Sequence, residues 1–154
     1  MTVRELQHYS MYLNQTSGGG NEKQVVIPEG KKLLVKQVVI ELQGMLNINN
    51  DNNYEVTVGV YNLKNFVPKY GISNVVIQNR NYGLISGGGS MVSRALQPGP
   101  FVWNPPPSFF LYGRIIMASL FSTGTTGSIA SLVQIYGTLS DVDELTRLSR
   151  ITEL

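Results

Sequence analysis

Few residues in this sequence combine the type and spacing that chemistry requires. Histidine occurs once, as His8, with Tyr9 and Tyr12 close by. A single imidazole titrates near neutral pH and could serve as a general base. No partner constellation accompanies it, so it reads as a surface-contact residue. Cysteine is absent, which excludes disulfides and thiolate metal sites. The run Asn49-Asn50-Asp51-Asn52-Asn53-Tyr54-Glu55 places oxygen ligands at alternate positions, as calcium loops do. It lacks the length, the glycine and the carboxylates of an EF-hand, and reads as a polar turn between strands. Gly18-Gly19-Gly20 and Gly87-Gly88-Gly89 have neither a Walker lysine nor Rossmann spacing, so they read as hinges. Asn14-Gln15-Thr16 matches a glycosylation sequon by chance. Trp103, with Phe101 and Tyr112 nearby, is the candidate surface or ligand anchor, because aromatic rings stack on sugars. The competing reading of Trp103 is a core or interface anchor. These residues imply no cofactor, no metal and no catalysis.

Composition narrows the class further. Charged residues make up 14% of the chain, against about a quarter in an ordinary soluble domain. The surface must therefore be covered by Asn, Gln, Ser and Thr, or be buried against partners. The net charge is +2, and no basic cluster exceeds the pair Lys31-Lys32. A chain so built cannot neutralise many phosphates, and direct nucleic-acid binding is not expected. No run approaches the roughly 18 apolar residues that a membrane-spanning helix needs. The N-terminus lacks the apolar segment of a signal peptide, so synthesis in the cytoplasm is expected.

The elements that would position any site are strands. Val25-Val26-Ile27, the turn Pro28-Glu29-Gly30 and the run Leu33–Leu42 read as strand, turn, strand. In the second strand Leu34, Val38, Ile40 and Leu42 fall on one face with Lys36 interrupting, and Leu33, Val35 and Val39 on the other. Val56, Val58 and Val60 alternate with Glu55, Thr57 and Gly59, as in a half-buried strand. Shorter strands are expected over 74–78, 81–86 and 91–96. The prolines Pro105, Pro106 and Pro107 cannot donate to a ladder, so that segment crosses over. Residues 109–121 and 128–139 read as a long hairpin around Ser122-Thr123-Gly124-Thr125-Thr126-Gly127. Ile40, Val58, Ile115 and Ile135 are expected in the core.

About eight strands in one domain predict an all-β fold, an antiparallel β-sandwich or barrel. The order of Ile27-Pro28-Glu29-Gly30, then Pro105 to Pro107, then the closing strand Val133-Gln134-Ile135-Tyr136-Gly137-Thr138-Leu139 gives the layout a shape. Over residues 24–139 it resembles the small single jelly-roll domains of virion structural proteins, including capsid subunits, cement and phage decoration proteins. That resemblance implies a jelly-roll-like sandwich acting by self-assembly, located in a virion, with copies of itself and other shell proteins as partners. The alternative is a carbohydrate- or receptor-binding β-sandwich module such as a fibre tip.

Two tails are expected outside the sandwich at 21–140. Residues 1–20 form an N-terminal arm ending in the glycine hinge. Residues 141–154 form a C-terminal arm, in which Val142, Leu145, Leu148, Ile151 and Leu154 repeat at helical spacing. Exposed together they would mark an assembly contact, and a homo-oligomer is the expected state.

Overall fold

The structure is a computed structural model, and it describes residues 5–49, 52–63, 75–85, 91–96 and 100–143. Within them lie eight strands and no helix: β1 (Glu5–Val26), β2 (Lys31–Asn49), β3 (Asn52–Leu63), β4 (Val75–Ile85), β5 (Met91–Leu96), β6 (Phe101–Trp103), β7 (Phe110–Leu111) and β8 (Ile115–Asp141). All pairings are antiparallel.

The pairings resolve into two layers that share one ribbon. β1 and β8 run side by side from Glu5↔Leu139 to Val26↔Ile115. In the first layer the C-terminal half of β8 continues to β2, and β2 pairs in turn with β7, β6 and β5 along its length. In the second layer the N-terminal half of β8 continues to β3, and β3 to β4. The strand order is therefore β1-β8-β2-β5/6/7 in one layer and β1-β8-β3-β4 in the other. Two such interleaved sheets are the jelly roll, with strands that pass between layers without interruption. The two halves close on one core. Met11, Leu13, Val38, Ile40, Val56, Val58, Ala118, Leu120, Ile129, Val133 and Ile135 all belong to it.

The expected hairpin over 109–139 is not there. Residues 115–141 form one continuous strand, and the segment 122–127 stays inside it. Between Gln15↔Ile129 and Gly20↔Phe121 the register shifts, because β8 covers more residues than β1 around the same corner. An odd net shift exchanges which face of β8 points inward: Ile116, Ala118 and Leu120 line the core on one side of the corner, Ile129, Val133 and Ile135 on the other. Glycine and small polar residues allow this, since bends and bulges need backbone freedom and little side-chain bulk. The glycine run 18–20 and the segment 122–127 are two sides of that one corner.

The N-terminal arm also differs from expectation. Residues 5–20 belong to β1 and are hydrogen-bonded to β8 as part of the sandwich. Met11 and Leu13 are buried, and Tyr9 packs against the core beside them. Burial pushes the Tyr9 phenol above its ordinary pKa, so it stays neutral. The expected strands over 74–78 and 81–86 are one strand, β4. Most of the run Asn49–Glu55, expected as a polar turn, is strand, because β2 runs to Asn49 and β3 starts at Asn52.

β2 explains its own broken alternation. A bulge between Val35 and Gln37 shifts its phase, so Leu33 and Val35 share the core with Val38, Ile40 and Leu42, and Lys36 is exposed. The expected grouping of Leu34 with Val38 fails because one extra residue inverts the pattern. Gly137 stands opposite the bulge; a Cβ there would lie 2.4 Å from the Leu34 carbonyl oxygen. At the turn, the Lys31 amide donates to the Pro28 carbonyl, and Gly30 has a φ of 78°. Ile40, Val58 and Ile135 are fully buried in the main core. Ile115 is buried too, but with Leu63 and Met117 in a smaller cluster that lies on the other face of the second layer.

Asn62 locks the entry into β8. Its Nδ2 donates to the Gly113 and Ile115 carbonyls at 2.9 and 3.1 Å, and its Oδ1 accepts from the Gly113 amide at 2.9 Å. Two substitutions test these details. Gly137→Ala forces a methyl into the backbone of β2, and should cost about 1–3 kcal/mol, the range of overpacking. Asn62→Ala strands part-buried backbone groups, and should cost about 1–3 kcal/mol. Both are read as a lower urea midpoint at unchanged slope. A loss within error for either would contradict the bulge or the clamp.

Candidate functional site

The alternation of β1, β8 and β2 fixes what the first layer shows to solvent. Leu6, His8, Ser10, Tyr12 and Asn14 are exposed, while Met11 and Leu13 between them point inward. Across the ladder His8 stands beside Tyr136 and Gln37, Ser10 beside Gln134 and Val39, and Tyr12 beside Leu132 and Glu41. Val102 of β6 extends the Val39 row. Leu6 is 85% exposed, Tyr12 56%, Val102 48% and Tyr136 36%. This face carries apolar and aromatic side chains and little charge. Most natural single chains keep such a face polar.

The centre of the face is ordered by side-chain contacts. The His8 ring stacks on Tyr136, with centroids 4.5 Å apart and planes 5° from parallel. His8 Nε2 lies 3.1 Å from Gln134 Oε1, and the Tyr136 hydroxyl donates to the same oxygen at 2.9 Å. Gln37 Nε2 donates to Asn104 Oδ1 at 3.1 Å. These contacts hold the rings and amides in fixed positions, as a contact surface requires. His8 is therefore a member of a surface cluster with Tyr136 and Gln134.

Trp103 is placed differently from a ligand anchor. It pairs with the inward-facing Val38 and meets Phe109 edge to face, 5.3 Å between centroids, against the core. Phe101 packs against the same core. Tyr112 stands apart with Phe110, and the Lys32 ammonium lies 4.3 Å from the Phe110 ring centre and 5.5 Å from that of Tyr112. The three aromatics considered together from sequence do not form one platform.

Of the expected C-terminal contacts, only Val142 lies among the described residues; Leu145, Leu148, Ile151 and Leu154 fall outside them. Val142 is tied to its own chain, its amide donating to the Gly30 carbonyl at 2.8 Å. Asp141 pairs with Lys31 at 2.7 Å. That exposed ion pair is worth at most about 1 kcal/mol. Residues 141 and 142 thus continue the sandwich, and any arm begins after them. Of the possible calcium loop, Asn50 and Asp51 lie outside the described residues, and the Glu55 carboxylate accepts from the Thr57 hydroxyl. Among the described residues no three histidines or carboxylates gather as a metal site.

Sequence reasoning missed the exposed row Leu6–Asn14. Its signal was present in the alternation of Tyr9, Met11 and Leu13, but the glycines that follow made the segment read as a detached arm.

No family model matches the chain, and no curated protein does. Among solved structures, dimeric latent PorU from Porphyromonas gingivalis aligns over 91% of this chain and 13% of its own, at 7% identity and a TM-score of 0.41. The infectious bursal disease virus Gt strain structure aligns over 90% and 42%, at 8% identity and a TM-score of 0.33. A mutant VP2 protein of the same virus, in derived T=1 particles, aligns over 87% and 39%, at 10% identity and a TM-score of 0.33. The chain thus spans less than half the length of each of these structures. Similarity at this level carries no argument about activity, and the fold assignment rests on the strand pairings themselves.

Proposed function

We propose that this chain is a virion structural subunit, a capsid, cement or decoration protein that works by assembling with copies of itself and other shell proteins. The observation that carries the reading is the solvent-facing side of the first layer, where Leu6, Tyr12, Val102 and Tyr136 stand exposed around the fixed His8–Tyr136–Gln134 cluster. Apolar and aromatic groups on a rigid, weakly charged face are what the core of a protein interface is made from. Burial of each such side chain is worth about 1.5–3 kcal/mol. The jelly-roll strand order supports the reading, since capsid domains are among the proteins built on it. On this reading the chain is not an enzyme, and its place is the virion, after synthesis in a host cytoplasm. The low positive charge favours a role in the shell over direct packaging of genome.

A second reading draws on the same face. Tyr12 and Tyr136 offer rings to solvent, as a carbohydrate- or receptor-binding module does. Glycan binding lost on Tyr12→Ala would favour it.

Mass in solution with electron microscopy of the purified protein separates the two. The assembly reading expects rings, shells or defined oligomers that grow with concentration, and a monodisperse monomer at high concentration overturns it. Removal of residues 144–154 should leave the β spectrum intact while reducing assembly size. Full size after truncation would remove the C-terminal segment from the interface.

A further inference from the structure

Resting on the assembly reading, we propose that the outer edge of β1 is itself an interface, and that residues 5–15 pair antiparallel with the same residues of a second copy about a two-fold axis through Ser10. β1 is bonded to β8 on one side only; among the described residues nothing pairs with its other side. A strand edge of this kind carries a row of unpaired amides and carbonyls, which invites another strand to add to it.

The described edges differ in how they are guarded. β5, β6 and β7 are short, with 6, 3 and 2 residues. β4 carries Arg80 within its span and meets a register irregularity at Val60/Tyr61. The C-terminal half of β1 carries Glu22 and Lys23 and follows the irregular corner at 15–19. Short length, charge and irregularity are the devices by which natural sheets prevent edge-to-edge pairing. The stretch Leu6–Asn14, flanked by Glu5 at the strand's start, has none of them. Its register with β8 is unbroken, it contains no proline, and Leu6 to Asn14 includes no lysine, arginine, aspartate or glutamate.

The occupant that fits this edge is the same segment of a second copy. Antiparallel pairing about Ser10, the midpoint of the regular stretch, places Leu6 opposite the partner's Asn14 and His8 opposite the partner's Tyr12. No like charges meet in this register, and exposed side chains stay on the exposed face, because residues of equal parity face each other. Two first layers then become one continuous sheet. The contact is isologous, so it closes at two copies and leaves neither Glu5–Gln15 edge bare.

The test replaces three exposed residues with lysine, the natural edge guard. L6K/S10K/N14K puts three like-charge pairs across the proposed contact and touches no core residue. Wild-type protein should sediment as a dimer or a multiple of it. The lysine variant should keep the wild-type β spectrum and melting temperature while its dimer weakens roughly tenfold or more. L6E/S10E/N14E should weaken alone in the same way, and mixing the two variants should restore the dimer. An assembly whose mass ignores both variants overturns the edge pairing and leaves the assembly reading standing. A wild-type monomer overturns both, and leaves a foreign strand as the only occupant. If the variants do not fold, Ser10→Cys serves in their place. The chain has no other cysteine, and a two-fold through residue 10 brings the two thiols within disulfide reach. Absence of a symmetric cross-link in an oligomeric sample contradicts the proposed register.

Discussion

The ribbon formed by β1 and β8 is the constraint on which the rest of the structure depends. It is long enough to belong to both layers, and it passes between them at a corner of glycine and small polar residues. Every other strand is anchored on it through β2 or β3. The corner does two things at once. It turns the chain from one sheet to the other, and its odd register shift rephases β8 so that both halves present apolar side chains to a single core. A corner with an even shift would leave Ile129, Val133 and Ile135 facing solvent, and the hydrophobic term that holds the domain together would be lost.

That arrangement also determines what the molecule can offer to others. A ribbon shared by two sheets leaves β1 at the outside of both. The side chains of the first layer alternate between the core and an outer face, so burial of Met11 and Leu13 goes with exposure of Tyr12 between them. The outer face and the β1 edge are therefore consequences of the same pairing that builds the core. A structural subunit needs contact surfaces fixed without an added binding loop, and these are fixed by the sheet. The His8–Tyr136 stack adds local order to a face that backbone hydrogen bonds have already placed.

Much of the strand content was legible in the sequence, and its connectivity was not. Val56, Val58 and Val60 show a period of two because alternate residues of β3 face the main core, and the turn at 28–31 declares itself through Pro28 and Gly30. Three features were misread for one physical reason: local signals do not say what lies across the ladder. The segment 122–127 has the composition of a hairpin loop, and its pairing with β1, β2 and β3 makes it strand. Glycines 18–20 look like a hinge until they are opposed to that segment. Lys36 looks like a defect in a buried strand, and it is the exposed residue of a bulge that Gly137 accommodates from the neighbouring strand. The anchor residue Trp103 was ambiguous in sequence because an aromatic residue serves a core and a ligand equally well. Its pairing with Val38 places it against the core.

Amide hydrogen exchange resolved to single residues along β1 tests the central claim most directly. The ribbon predicts alternation within 5–15: amides directed at β8 exchange slowly, in step with those of 129–139, and the intervening amides exchange quickly in the separated subunit. Exchange of every amide in 5–20 at the rate of an unstructured chain, while residues 24–139 stay protected, would contradict it and return this segment to a detached arm.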